Sequence, residues 1–514
     1  MDSYDEVPYH SAPFAETHPV NLAVLGRLFG LETPDPDRCR YLELGCASGG
    51  NLIPMAVHLP GGWFEGIELS AAQAAEGASL VAELGLRNAR IRQGDILDLG
   101  DELGEFDYIV THGVYSWVPE AVQERVLGLC AEHLAPGGVA YVSYNTLPGW
   151  RTRGMLRDAL LYHVRGIEAP AERLARAREV LPRLDGALGG LDTLPARLLR
   201  QEIGYLRGAH PSYLYHEYLE SRNEPLLLSE LVRRAGRHGL QYLGDTDLAG
   251  MFPASAGDGV EPLIEGIEDQ VELEQYLDFV RNRGFRQTLL CRAERTLRRE
   301  IDLETLDGLA VFASLEPPRK LDLRTTRPAP FRKADGKGFE VHHPLTRAAL
   351  AALGEAYPDS VPLPALREEA VRRVSAAGAA PLARQTDHLA GEVFSLYAHA
   401  ALGLDTRPRP WPRGSLERPR ATPLARAQAA RDTGHVATPR HGTLTLDPFA
   451  ARLVAHMDGT RGRDELVEEL AADIAAARME RGVPAPPAPQ RLRPRVAENV
   501  DRLLRLFARH GLLE

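Results

Sequence analysis

The segment from about residue 40 to 145 alternates short β-branched or aromatic runs with amphipathic helical stretches, and this alternation constrains the chain more than any other feature. The runs are Tyr41–Leu44, Phe64–Glu68, Ala89–Arg92, Phe106–Val110 and Val139–Tyr144. Such a pattern predicts βαβ units around a parallel sheet, because parallel neighbours need a long crossover. Ser70 can cap a helix through about Leu84, ended by Gly85, and Pro119 opens another that closes before Pro136-Gly137-Gly138. Two later helix-strand pairs, Leu226–His238 into Leu240–Leu243 and Val271–Asn282 into Arg286–Cys291, are candidates to complete the sheet. The Arg- and Leu-rich stretch between is then a helical insertion.

The first strand runs into Glu43-Leu44-Gly45-Cys46-Ala47-Ser48-Gly49-Gly50-Asn51, an acidic strand tip followed by a glycine-rich turn and a helix. Gly45 and Gly49 permit close backbone approach, and the helix start offers free N–H groups. The spacing G-x-x-x-G-G matches neither the dinucleotide fingerprint nor the phosphate loop. Glu43 would repel a pyrophosphate and attract an ammonium or sulfonium group. Glu68, 19 residues after Gly49, sits at the next strand tip, where a carboxylate can accept both hydroxyl protons of a ribose. Asp95 follows the third strand and could accept from an adenine amino group while Ile96 packs on its face. Each acid alone could be a cap or a solvated turn; together with the glycine turn they predict a site for a positively charged nucleoside at the carboxyl ends of the strands.

With 514 residues, 44% apolar and 25% charged, the chain has a globular composition and room for about three domains at roughly 150 residues each. The net charge of −11 argues against a broad nucleic-acid surface. Four scattered cysteines, Cys39, Cys46, Cys130 and Cys291, show neither metal-ligand nor disulfide spacing, so no metal is expected. No apolar run of about 18 residues and no secretion-type start is seen, so a cytoplasmic address without membrane insertion is expected. Lysine occurs only at 320, 333 and 337, and arginine dominates the cations.

These residues resemble the class I S-adenosylmethionine-dependent methyltransferases. The resemblance implies a Rossmann-like α/β fold in which the glycine turn holds the methionine part, the acid after strand two the ribose, and the Asp after strand three the adenine. Ala47 stands where a middle glycine is usual. The contact set it implies is Glu43, Gly45, Cys46, Ala47, Gly49, Asn51, Glu68, Leu69, Asp95, Ile96, His112, Gly113 and Val114, with Tyr4 and Tyr9 folding over the cofactor as a lid. The stretches Thr111–Pro119, Val142–Trp150, Tyr4–Tyr9 and Thr17-His18-Pro19, with His216–Glu220, Asn223-Glu224-Pro225, Glu274–Phe279 and Phe285–Cys291, are similar to bacterial methyltransferases that carry a methyltransferase regulatory domain. That group includes protein-lysine methyltransferases acting on outer-membrane proteins, with winged-helix material at the C-terminus. Thr422–Arg426 and Leu446-Asp447 with Met457–Arg461 resemble that tail.

The expected domain order is a lid segment 1–38, a cofactor-binding core 39–165, a helical insertion 166–225, a regulatory region 226–293, a middle α-rich domain 294–403, a proline-rich linker 404–423 and a winged-helix-like unit 424–514. In that last unit Gly442–Leu446 is a candidate strand, Pro448–Met457, Asp464–Arg478 and Val496–His510 are helices, and Val483–Pro494 is a loop. For catalysis, Tyr115, Tyr144 and Trp117 are expected to shape an acceptor channel, with Asn145 or His112 orienting the nucleophile. The competing reading makes Trp117 and Tyr144 core aromatics and His112 a turn cap. A protein or peptide substrate is implied by resemblance. A small-molecule methyltransferase, and a catalytically inactive scaffold whose winged helix holds a peptide or DNA, stay open.

Overall fold

The computed structural model describes residues 11–257, 259–318, 320–333, 336–379, 387–431, 433–480 and 489–514. Tyr4 and Tyr9, the expected lid, lie outside them. The chain divides into two compact units, one built on Leu25–Ile301 and the other on Asp302–Glu514 together with Pro13–Val24.

The first unit holds a seven-stranded sheet: β1 Arg40–Leu44, β2 Trp63–Glu68, β3 Ala89–Gln93, β4 Phe106–Thr111, β5 Leu134–Asn145, β6 Leu240–Asp245 and β7 Phe285–Arg292. Their order is β3-β2-β1-β4-β5-β7-β6. β1 to β5 pair in parallel and β7 runs antiparallel to both β5 and β6, so both late strands join the same sheet. Ser70 caps the helix Ala71–Glu83 by accepting from the Gln73 N–H, as its residue type predicts. The helix after Pro119 ends at His133, and β5 begins at once with Leu134. The helix thus closes before Pro136-Gly137-Gly138, as expected, and those residues belong to the long strand, which pairs Leu134 with Phe106 across a register shift.

The insertion is helical: Pro170–Leu188, Leu194–Gly208 and Pro211–Tyr218 share an apolar core with Gly149–His163 through Leu156, Leu160, Leu181, Ile203, Leu206 and Tyr218. Behind β7 lies a buried ion-pair network. Arg286, with no exposed surface, donates from Nε and Nη2 to the two Asp278 oxygens at 2.7 and 2.9 Å, and from Nη1 to Glu274 at 3.1 Å and Asp245 at 3.3 Å. Arg283 reaches the other Asp245 oxygen at 2.9 Å, and the Tyr242 hydroxyl donates to Glu274 at 2.7 Å. Burial raises the pKa of Glu274 and Asp278, against the pull of Arg286.

The second unit adds short strands to the expected helices. Besides the helices Pro344–Ala356, Leu363–Ala376 and Asp387–Ala398 it carries two three-stranded sheets, one of which pairs Ala310–Phe312 with Val361–Pro362 and Gly403–Asp405. The proline-rich stretch 404–423, expected as a linker, is anchored along its length: Asp405 pairs with Arg440 at 2.6 Å, the Trp411 N–H donates to Asp359 at 2.7 Å, and Ala421 bridges to Leu513. Its prolines fix an extended path that these anchors hold in place. Further on, a hairpin of His435–Ala437 and Thr443–Thr445 precedes helices Pro448–His456, Arg463–Glu480 and Pro489–Arg509 around one apolar core. The last helix already includes 489–494, which had been read as loop. Pro494, inside the helix, forgoes one ladder bond. Residues 483–488 lie outside the described residues.

Two expectations about stability follow. Arg286→Met leaves buried Glu274 without a cation and Asp245 and Asp278 with Arg283 alone, and should cost about 3–5 kcal/mol, read from urea unfolding; an unchanged midpoint would mean the pairs contribute nothing. Ala47 holds φ +48°, a left-handed conformation that costs an L-residue about 1 kcal/mol. Ala47→Gly should therefore raise stability by roughly 0.5–1 kcal/mol, and a melting temperature below that of the parent would refute the strain.

Candidate functional site

The turn after β1 is shaped by three consecutive constraints. Gly45 and Gly49 have φ +76° and +77°, and a Cβ on them would lie 2.4 Å from Val114 Cγ2 and Ile91 Cδ1 respectively. Only glycine fits at either position. Between them the Ala47 N–H donates to Glu68 Oε2 at 2.8 Å, while Glu68 Oε1 accepts from the Ser70 N–H at 2.9 Å. Glu68 thus ties the tip of β2 to the turn of β1, and each of its oxygens has the capacity to accept a further bond. Cys46 is buried against Gly66, and burial pushes its thiol pKa up, which makes it a packing residue.

Glu43 is 3% exposed. Its Oε1 accepts from Asn51 Nδ2 at 2.9 Å, and its Oε2 is buried without a hydrogen-bond partner among the described residues. Burial first, and the nearby Glu68 charge third after the opposing Asn51 bond, push its pKa up to about 8. A buried carboxylate oxygen left without a donor calls for a cation or an N–H from outside the chain. On the same rim Leu69 is 54% exposed and Leu97 47% exposed. Asp95 caps its own short turn by accepting from the Leu97 N–H at 2.9 Å, and Ile96 packs on the core behind it. This donor set and shape fit an adenosyl compound bearing positive charge.

The ends of β4 and β5 meet beside this turn. Gly113 has φ +70° and its N–H donates to Ser143 Oγ at 2.8 Å, and Val114 covers Gly45. His112 Nδ1 lies 2.9 Å from the Tyr141 hydroxyl, and burial lowers its pKa to about 4, so the ring is neutral near pH 7. It is therefore more than a turn cap. Asn145 is buried, with Nδ2 donating to Asn223 Oδ1 at 3.0 Å and its own N–H donating to Ser116 Oγ at 2.9 Å. Trp117 is half-buried and meets Trp150 edge to face at 6.2 Å.

Tyr115 and Tyr144 correct the expectation for an aromatic channel. Both are fully buried in the core cluster under the sheet, 6.4 Å apart, and the Tyr144 hydroxyl is 3.2 Å from Thr288 Oγ1. Their rings face the apolar layer because it is the larger gain for an aromatic at a strand end. Ser11, whose Oγ accepts from the Gly50 N–H at 2.7 Å, was missed, as were Ser143, Ser116 and Asn223. Ser11 and Asn223 lie 39 and 78 residues from their partners, and no local pattern signals such bonds. Among the described residues no group of three or more His, Cys, Asp or Glu could hold a metal ion, and no helix is long and apolar enough to cross a membrane.

Three family profiles match the chain: a methyltransferase domain at residues 42–138, a predicted methyltransferase regulatory domain at 210–292, and the C-terminal winged helix domain of PKMT at 417–512. Protein RP789 of Rickettsia prowazekii (strain Madrid E), itself uncharacterised, is 39% identical over 62% of this chain, and the match spans 58% of that relative's length. RP028 of the same organism, also uncharacterised, is 34% identical over 47% of this chain and 96% of its own. The solved structure of PKMT2 from Rickettsia typhi, determined also in complex with AdoHcy, is 27% identical and superposes with a TM-score of 0.85 over 98% of this chain and 100% of that one. With the β3-β2-β1-β4-β5-β7-β6 sheet, the glycine turn and its two acids in place, the chain belongs to the class I S-adenosylmethionine-dependent methyltransferases that carry a methyltransferase regulatory domain.

Proposed function

We propose that this protein transfers a methyl group from S-adenosylmethionine to a protein, at a lysine side chain. The observation that carries the cofactor part is the unpartnered Glu43 Oε2 beside the Gly45–Gly49 turn. The protein acceptor is supported by the likeness to PKMT2, which runs through the winged-helix end of the chain. When bound, S-adenosylmethionine supplies a methyl already activated on a positively charged sulfur. Glu43 meets the positive charge of the methionyl part, with Asn51 holding its other oxygen. Glu68 accepts from the ribose hydroxyls while keeping the turn in place, and Leu69, Asp95 and Ile96 receive the adenine. The backbone at Gly45, Ala47 and Gly113 lets the ligand lie against the strand tips, with Cys46, Gly49 and Val114 packed behind.

In this reading the acceptor approaches between β4 and β5. Trp117 provides an apolar wall, which penalises the charged ammonium and favours the amine. Asn145, fixed through Asn223, orients the amine by accepting its N–H, and neutral His112 places no competing charge at the site. Alignment and exclusion of water are the chain's contribution. Incubating the purified protein with methyl-labelled cofactor and a bacterial lysate checks this: label should enter protein as methyl-lysine. Label confined to small molecules would favour the metabolite-methyltransferase alternative.

The Glu43 environment also sets a pH signature. At pH 7, below about 8, the carboxyl is mostly protonated, and a cationic ligand stabilises its ionised form. Cofactor binding should therefore release a proton, and affinity should rise as pH goes from about 6 to 8 and then level. In the ligand-free protein the sign is the reverse: a raised carboxyl pKa contributes stability that is full below about 4.5 and lost as pH rises through about 8. Calorimetry in buffers of different ionisation enthalpy reads the proton directly. Glu43→Gln should abolish the release and weaken binding at least about tenfold, a loss of about 1.4 kcal/mol; retention of both would exclude Glu43 from the site.

A further inference from the structure

Three helices of the first unit bring an aromatic and acidic cluster to the flank of Trp117. Trp150 lies 6.2 Å from Trp117 and 6.1 Å from Tyr218. The Arg153 guanidinium sits over the Trp150 ring at 5.7 Å, with its Nε 3.7 Å from Glu202, and the Tyr218 hydroxyl donates to that same carboxylate. The fold's own cation therefore displays what this surface holds: a positive group on an indole face, balanced by a carboxylate.

Two groups in the cluster are left over. Glu217, on the helix that carries Tyr218, has no hydrogen bond or ion pair among the described residues and is half-buried. Burial pushes its pKa up to about 7, against the pull of Arg153 and His216. One guanidinium thus faces two carboxylates, Glu202 and Glu217, and ionised Glu217 makes the cluster negative. Independently, Trp150 is 3% exposed and its Nε1–H finds no acceptor among the described residues. Buried indole N–H groups ordinarily have one, so a bound partner's carbonyl is called for here. Arg153 is 35% exposed and Tyr205 of the neighbouring helix 55% exposed, so the cluster is open to a ligand from solution.

We infer that this cluster is a docking subsite for a basic side chain of the protein substrate, with Glu217 pairing with the cation and Trp150 donating to the peptide backbone. The inference rests on the protein-acceptor reading, and it gives the segment matched as a regulatory domain, 210–292, a part in substrate choice.

The test uses the full chain saturated with S-adenosylhomocysteine and titrated with a fluorescent acetyl-pentalysine amide, followed by anisotropy at low salt. The wild type should bind pentalysine and not pentaglutamate; Glu217→Gln should bind about tenfold more weakly and Glu217→Asp should fall between, with S-adenosylhomocysteine affinity unchanged in both. That unchanged affinity reports intact folding. Equal pentalysine affinity in wild type and Glu217→Gln, or no binding by the wild type, overturns the subsite. Methyl label entering only small molecules, with pentalysine binding still dependent on Glu217, would remove the protein-acceptor reading and leave the cation subsite standing.

Discussion

The carboxylate of Glu68 is the interaction on which the site depends. By accepting from the Ala47 N–H and the Ser70 N–H it fastens the glycine turn of one strand to the helix start of the next. A turn with three residues at positive φ within five positions is not a conformation the backbone holds unaided. The clamp holds the turn against β2, and the two glycines let Val114 and Ile91 close on it. Ligand chemistry and backbone support thus share a single side chain.

Glu43 and Glu68 stand near the carboxyl ends of adjacent strands, Glu43 level with Gly66 and Glu68 at the tip, yet their environments divide their work. Each oxygen of Glu68 accepts from one backbone N–H, which satisfies its charge and leaves room for a further bond. Glu43 has one amide partner and one orphaned oxygen in a desolvated place, which keeps it mostly protonated until an opposite charge arrives. Identical side chains a strand apart therefore serve as a brace and as an electrostatic socket.

Much of this was legible in the sequence because it is local. The strand and helix alternation, the Ser70 cap and the turn glycines each follow from residue type and spacing within a few positions, and the resemblance supplied the order of parts. The long-range pairings were not legible: Arg286 with Asp245, Asn145 with Asn223 and Arg440 with Asp405 join residues 41, 78 and 35 positions apart. The prolines of 404–423 read as a spacer because composition carries no sign of the anchors Asp359 and Arg440. Tyr115 and Tyr144 were placed in a channel because strand-end aromatics suit a site and a core equally; burial decided for the core.

The position of β7 sets a limit on how this enzyme family's core can be shortened. β7 fills the space between β5 and β6 and gives both their ladder partners, so a fragment stopping before residue 226 would leave β5 as a raw edge. The six residues Ala140–Asn145 that pair with β7 would then be an open edge inviting self-association. The region named for regulation is in this sense masonry: evolution can retune its surface, but it cannot be shed without unroofing the sheet.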